Sequence, residues 1–204
     1  MRSILGRGIR KIQRWHHAAC VAGLRRANFA SIRLRDDLAL LLAPGGIGIE
    51  LGVGGGGFSE KILKRSALSY LYSVDMWAEG GHNIDEYRAA FHRLNPFRTR
   101  SSILKMKFNE ALPLFPDAYF DFIYVDGYAH TGEEGGQTFR DWFPKLKPGG
   151  VFAGDDYTPK WPLVVEQVDA FVAAMNLKMY VVPGDETVAD GYAQSPSWFA
   201  FKDR

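Results

Sequence analysis

Short apolar runs alternate with amphipathic stretches from Arg35 to the end of the chain. Apolar positions at helical spacing predict a helix over Arg35 to Leu42, stopped by Pro44-Gly45-Gly46. Ile47 to Leu51 reads as a buried strand running into glycines, and Phe58 to Lys64 as a helix with Ser59 near its start. A second strand spans Tyr70 to Val74 and ends at Asp75; a helix over Asp85 to Leu94 closes at Asn95-Pro96. Ser102 to Met106 reads as a third strand, Glu110 to Phe115 as a short helix, and Phe120 to Val125 as a fourth strand ending at Asp126-Gly127. Helix from Glu133 to Leu146 then stops at Lys147-Pro148-Gly149-Gly150, and Val151 to Ala153 opens a fifth strand toward Asp155-Asp156. Val164 to Met175 is an amphipathic helix. Met179 to Val182 and Trp198 to Phe201 are closing strands, joined by a polar loop from Pro183 to Ser197.

Seven strands with helices between them predict an α/β fold. It is a Rossmann-like, doubly wound, mostly parallel sheet with an antiparallel last strand and helices on both faces. Ligands of such sheets lie beyond the carboxyl ends of the strands. The polar and glycine residues collect there: Glu50 to Gly57, Asp75, Asp126 and Asp155-Asp156.

Composition narrows this picture only a little. A chain of 204 residues, 47% hydrophobic and 24% charged, suits one globular domain. The lone Cys20 excludes an internal disulfide and a cysteine-built zinc cage, which fits a cytoplasmic protein. No apolar run is long enough to span a bilayer, and the N-terminus is too charged for a signal peptide. The net charge of +2 is uninformative, but its distribution is not. From Met1 to Arg35 nine Arg and Lys residues precede the first acid, Asp36. Residues 1–45 therefore read as a basic helical extension, and residues 46–204 as the ligand-binding domain. The extension has two readings: a solvated helix packed on the domain or on a second copy in a homo-oligomer, or a contact with a membrane surface.

The chemistry begins at Glu50-Leu51-Gly52-Val53-Gly54-Gly55-Gly56-Gly57. Five glycines in the nine residues from Ile49 to Gly57 let backbone turn sharply and approach a ligand with no Cβ between. An acid about twenty residues on, Asp75, ends the next strand, where a carboxylate accepts hydrogen bonds from ribose hydroxyls. This pattern suits a nucleoside, whether of NAD or of S-adenosylmethionine. Met76 and Trp77 follow Asp75, and Lys107 and Phe108 follow the third strand; these are candidate walls for the adenosine.

Three segments resemble class I S-adenosylmethionine-dependent methyltransferases. They are Glu50 to Gly56, Phe120-Asp121-Phe122-Ile123-Tyr124-Val125-Asp126-Gly127, and Leu146-Lys147-Pro148-Gly149-Gly150. Asp126-Gly127-Tyr128-Ala129-His130 and Gly154-Asp155-Asp156-Tyr157 are similar to the macrocin and mycinamicin type of small-molecule O-methyltransferases and the related Asp-Gly-x-His group. The resemblance implies S-adenosylmethionine held by Glu50, Gly52, Gly54, Gly56, Asp75, Met76, Trp77, Lys107, Phe108 and Asp126. It implies a hydroxyl acceptor on a sugar or polyhydroxylated small molecule, and Asp126, Asp155 and Asp156 as ligands of a magnesium ion. The macrocin type carries a further acid where this chain has Tyr128. A metal-free route with His130 as general base is the alternative; His130, Asp126 and Asp155 are the candidate catalytic residues. An NAD-linked oxidoreductase and a non-catalytic cofactor-binding scaffold are the competing classes. A nucleic-acid acceptor has the basic N-terminus as its one support.

Overall fold

Apolar strands that are buried on both faces must be covered by helices on both faces, and this requirement organises the chain. The computed structural model describes residues 29–78, 82–127, 134–185, 187 and 195–203. Its strands are β1 (Ile47–Leu51), β2 (Tyr70–Asp75), β3 (Ser101–Lys105), β4 (Phe120–Val125), β5 (Leu146–Gly154), β6 (Met179–Val182) and β7 (Ser197–Phe201). They form one sheet in the order β3-β2-β1-β4-β5-β7-β6. β1 to β5 run parallel, and β7 lies antiparallel to β5 on one side and β6 on the other.

The helices are α1 (Gly57–Arg65), α2 (Ile84–Leu94), α3 (Phe108–Ala111), α4 (Gln137–Trp142) and α5 (Pro162–Ala174). Leu38, Phe58, Ile62 and Leu63 pack with Tyr124 and Phe199 in one core. Phe139, Trp142, Val168 and Phe171 pack with Ile123, Phe152 and Trp198 in the other. Phe120 and Phe122 fall into different cores, and a register shift between them in the β4–β5 pairing accompanies that split. The first core draws on Ile32, Leu38, Leu41 and Leu42, so it reaches back before Gly46. Residues 1–28, with most of the expected basic helix, lie outside the described residues.

Local chemistry moves several boundaries. The segment expected as a helix over Arg35 to Leu42 is a 3-10 helix, Arg35–Leu41. Asn83 caps α2, its side chain accepting from Asp85 N at 2.9 Å and Glu86 N at 3.3 Å. α3 starts at Phe108 rather than Glu110, because Glu110 reaches back to accept from Lys107 N at 2.9 Å.

The largest correction concerns Lys147 to Gly150, expected as the stop after a helix ending at Leu146. α4 ends at Trp142 and a 3-10 turn over Phe143–Lys145 follows, since Pro144 has no N–H with which to continue the helix. β5 then begins at Leu146. Gly149 N donates to Lys202 O at 2.7 Å and Lys202 N to Gly150 O at 3.0 Å, so pairing supplied from the far end of the chain holds this stretch extended.

Candidate active site

Strand order places the cleft. β1 is followed by β2 and β3 on one side, and the chain then returns to lay β4 on the other side of β1. At such a switch point the connections leave in opposite directions and open a crevice beyond the strand ends. Its two lips touch: Asp126 N donates to Leu51 O at 2.7 Å, while Gly52 N is held on the β2 side by Val74 O at 2.9 Å.

Gly52 has φ +94°, and a Cβ there would lie 1.5 Å from the carbonyl oxygen of Asp126. Only glycine fits where the two lips approach this closely. A Cβ on Gly127 would come within 2.6 Å of the Phe108 ring, so the missing side chain lets that ring close on the β4 end. A Cβ on Gly54 would meet nothing nearer than the His82 ring at 3.9 Å. The backbone there is bare, and Gly56 caps α1 behind it.

Asp75 is 8% exposed, and its carboxylate holds the glycine loop. Oδ2 accepts from Val53 N at 2.8 Å and Gly54 N at 3.0 Å, while Oδ1 accepts from Trp77 N at 2.8 Å. Trp77 Nε1 in turn donates to Gly54 O at 2.8 Å. A carboxylate has about four acceptor positions, so with three N–H groups on it roughly one remains for a ligand hydroxyl. The sequence pattern had suggested two ribose contacts. Trp77 is buried and stacks edge-on to Tyr87 rather than lining an open wall. Met76 is half-buried and Lys107 exposed, each just past a strand end.

Beneath the loop, Glu50 is buried and accepts a hydrogen bond from Ser59 Oγ, which pairs with Ser73 Oγ at 2.7 Å. Burial pushes this carboxyl from its ordinary 4.5 up to about 8, against the Ser59 hydrogen bond. Between those values the folded chain keeps a proton that the unfolded chain has lost. The unfolding free energy therefore falls as pH rises through that window. Asp155 adds a loss of the same sign between 3.8 and about 6. Above about pH 6.5 the slope should belong mainly to Glu50. Glu50→Gln, neutral at every pH, should flatten it in a series of urea unfolding curves. A variant with the wild-type slope would clear Glu50 of this role.

Across the cleft, the carboxylates of Asp126, Asp155 and Asp156 offer oxygens within 4.8 Å of one another. A cation already stands among them. The Arg35 guanidinium, 2% exposed, meets Asp126 Oδ2 at 3.1 Å and forms a closer ion pair with Asp155. The same Nη1 reaches the buried Tyr124 hydroxyl at 3.5 Å, and the guanidinium sits 5.1 Å from the Phe58 ring centroid. Burial opposes the charge on Arg35, but Tyr124, Asp155 and Asp126 outweigh it and hold the group cationic. Burial and the neighbouring Asp126 push the Asp155 carboxyl up to about 6, opposed by Arg35 and by Ser197, whose Oγ donates to Asp155 at 2.6 Å. Burial raises the Asp126 carboxyl as well, again opposed by Arg35.

The fold thus brings together Glu50, Gly52, Gly54, Asp75, Phe108, Asp126 and Asp155 around one crevice. His130 lies outside the described residues. Arg35 is the residue that sequence reasoning missed, because it sat in a basic run read as a solvated face. One signal was available: Arg35, Leu38 and Leu42 share the helical spacing of a buried face. Its 3-10 helix is pinned to α1 by ion pairs from Asp36 to Lys61 at 2.9 Å and from Asp37 to Arg65 at 2.7 Å.

Residues 48–157 match the family model described as a methyltransferase domain. No curated protein sequence matches the chain. Among solved structures, the chain is similar to a S-adenosylmethionine-dependent O-methyltransferase from Thermotoga maritima, with a TM-score of 0.59 and 19% identity over 82% of this chain and 63% of that one. A precorrin 8w decarboxylase from Methanobacterium thermoautotrophicum gives 0.59 and 16% over 87% and 92%. A rRNA methylase from Streptococcus thermophilus gives 0.57 and 15% over 83% and 93%. At these identities the likeness is one of fold. Among the described residues, no helix is long and apolar enough to cross a membrane.

Proposed function

Because the chain belongs to the methyltransferase-domain family that its residues 48–157 match, we propose that it moves a methyl group from S-adenosylmethionine to a hydroxyl oxygen of a small-molecule acceptor. The observation that carries this reading is the bare glycine backbone at the β1/β4 switch, facing the Asp126–Asp155 pair across the same strand ends. Around the donor, Glu50 to Gly56 supply the floor, Asp75 its remaining acceptor position, and Met76, Lys107 and Phe108 the surrounding surface, with Trp77 behind the loop bracing Gly54. When bound, S-adenosylmethionine supplies an electrophilic methyl group that an acceptor oxygen takes in one in-line displacement.

The residues of this chain have two tasks in that reaction. They hold the acceptor oxygen in line, and they receive its proton. Asp155, at about 6, is ionised at neutral pH yet more basic than an ordinary carboxylate, and it is the base this reading assigns. Asp126 beside it orients the acceptor hydroxyl, and His130 is a second candidate base. The O-methyltransferase from Thermotoga maritima supports an oxygen acceptor by analogy of fold. A cytoplasmic setting goes with this reading. Calorimetric titration with S-adenosylhomocysteine should give a saturating heat, and NADH should give none. The reverse pattern would overturn the reading in favour of an oxidoreductase, and silence with both would remove the nucleoside site.

A further inference from the structure

Three convergent carboxylates in a cleft ordinarily invite a hard divalent cation. Here the geometry puts a guanidinium in its place. We propose that Arg35 is the resident cation of the acidic cluster, a positioning residue that fixes Asp126 and Asp155 and makes the site independent of divalent metal.

Three observations carry this. The first is occupancy: one nitrogen of Arg35 contacts both Asp126 and Asp155, two of the three carboxylates that would have to converge on an ion. An ion bound by both would stand where that nitrogen stands. The second is commitment. The guanidinium is buried, it lies against Phe58 and the Tyr124 hydroxyl, and its 3-10 helix is ion-paired to α1 on the adjoining turn. Swinging it out would strip these contacts and leave a charge seeking new partners in an apolar core. The third is the rest of the donor set. Asp155 Oδ1 accepts from Ser197 Oγ while Oδ2 faces Arg35, so about two of the four acceptor positions of that carboxylate are already taken, one of them by a cation.

A guanidinium does part of what a metal would do. It neutralises charge and holds two carboxylates together through one nitrogen. It does not chelate a diol through open coordination positions. The carboxylates themselves are then left to orient and deprotonate a single acceptor hydroxyl, so a vicinal diol is not required of the substrate. This inference rests on the cleft being the methyl-transfer site, and the S-adenosylhomocysteine titration tests that point separately.

The experiment uses Mn2+ as the probe, followed by electron paramagnetic resonance on the full chain. Wild type should show no saturable binding at millimolar Mn2+, and its thermal midpoint should not respond to the ion. Arg35→Ala leaves two partly buried carboxylates without a cation. It should bind Mn2+ at least about tenfold more tightly than wild type, with a thermal midpoint that rises with ion concentration. Adding Asp155→Asn to that variant should abolish the gain. Arg35→Lys, which keeps a positive charge, should stay as blind to Mn2+ as wild type; this separates a charge effect from a general loosening of the fold. Stoichiometric Mn2+ binding by wild type that Asp155→Asn removes would overturn the proposal. So would an Arg35→Ala protein that still binds S-adenosylhomocysteine yet ignores Mn2+. Should Arg35→Ala not fold in the absence of ions, folding recovered by Mn2+ counts for the proposal, and the wild-type measurement decides it otherwise.

Discussion

Gly52→Ala is expected to destabilise the fold by about 4 kcal/mol or more and to abolish cofactor binding. The methyl group would sit 1.5 Å from the carbonyl oxygen of Asp126, backbone against backbone, with no flexible side chain able to give way. Relief requires the β1 and β4 ends to part, which breaks the hydrogen bond from Asp126 N to Leu51 O and displaces Asp126 from Arg35. The left-handed φ of +94° adds strain for any L side chain. Against a typical total stability of about 5–15 kcal/mol, such a loss is large. Gly54→Ala is the control. Its Cβ meets open space and its φ of +50° costs only about 1–2 kcal/mol, so the fold should survive while the added methyl intrudes on the ligand. Urea unfolding and calorimetry with S-adenosylhomocysteine check both variants. A Gly52→Ala protein as stable as wild type would show that the lips of the cleft are not in contact.

Asp75→Ala should cost both stability and affinity, because one carboxylate serves the loop and the ligand together. Removing it strands the N–H groups of Val53, Gly54 and Trp77, each worth about 1–3 kcal/mol when buried without a partner. Water reaches the cleft side of the loop, so a net loss of roughly 3 kcal/mol is expected rather than the full total. Affinity for S-adenosylhomocysteine should fall at least about tenfold, since the loop that lines the site loses its latch. Asp75→Asn keeps one acceptor oxygen and should fall between wild type and alanine in both measurements. Lower affinity at unchanged stability would mean that Asp75 acts on the ligand alone. No change in either would sink both the latch and the ribose assignment.

Much of this molecule was legible in its residues before any fold was known. The strands from Ile47 to Phe201 were readable because a sheet covered on both faces needs continuous apolar runs, and hydrophobicity is a local property. The positions of Asp75, Asp126 and Asp155 at strand ends followed from the same periodicity, whereas Glu50 lies within β1 and is buried because Ser59 satisfies its carboxyl. The glycine turn was visible because positive φ and close backbone approach have few other solutions.

What sequence could not reach were the relations between distant segments. Lys147 to Gly150 looked like a stop, and it became strand because Lys202 beyond β7 pairs with Gly149 and Gly150, while β4 pairs with Leu146 and Val151 on either side. Asp75 looked like a ligand contact, and it became first a latch because Val53, Gly54 and Trp77 turn their N–H groups toward it. Arg35 looked like one cation among many in a solvated run, and it became the counter-charge of the acidic cluster. Its distance along the chain from Asp155 is 120 residues, and only packing of the 3-10 helix on α1 brings the two together. Elements are set by neighbours in sequence, whereas the pairing of charges is set by neighbours in space.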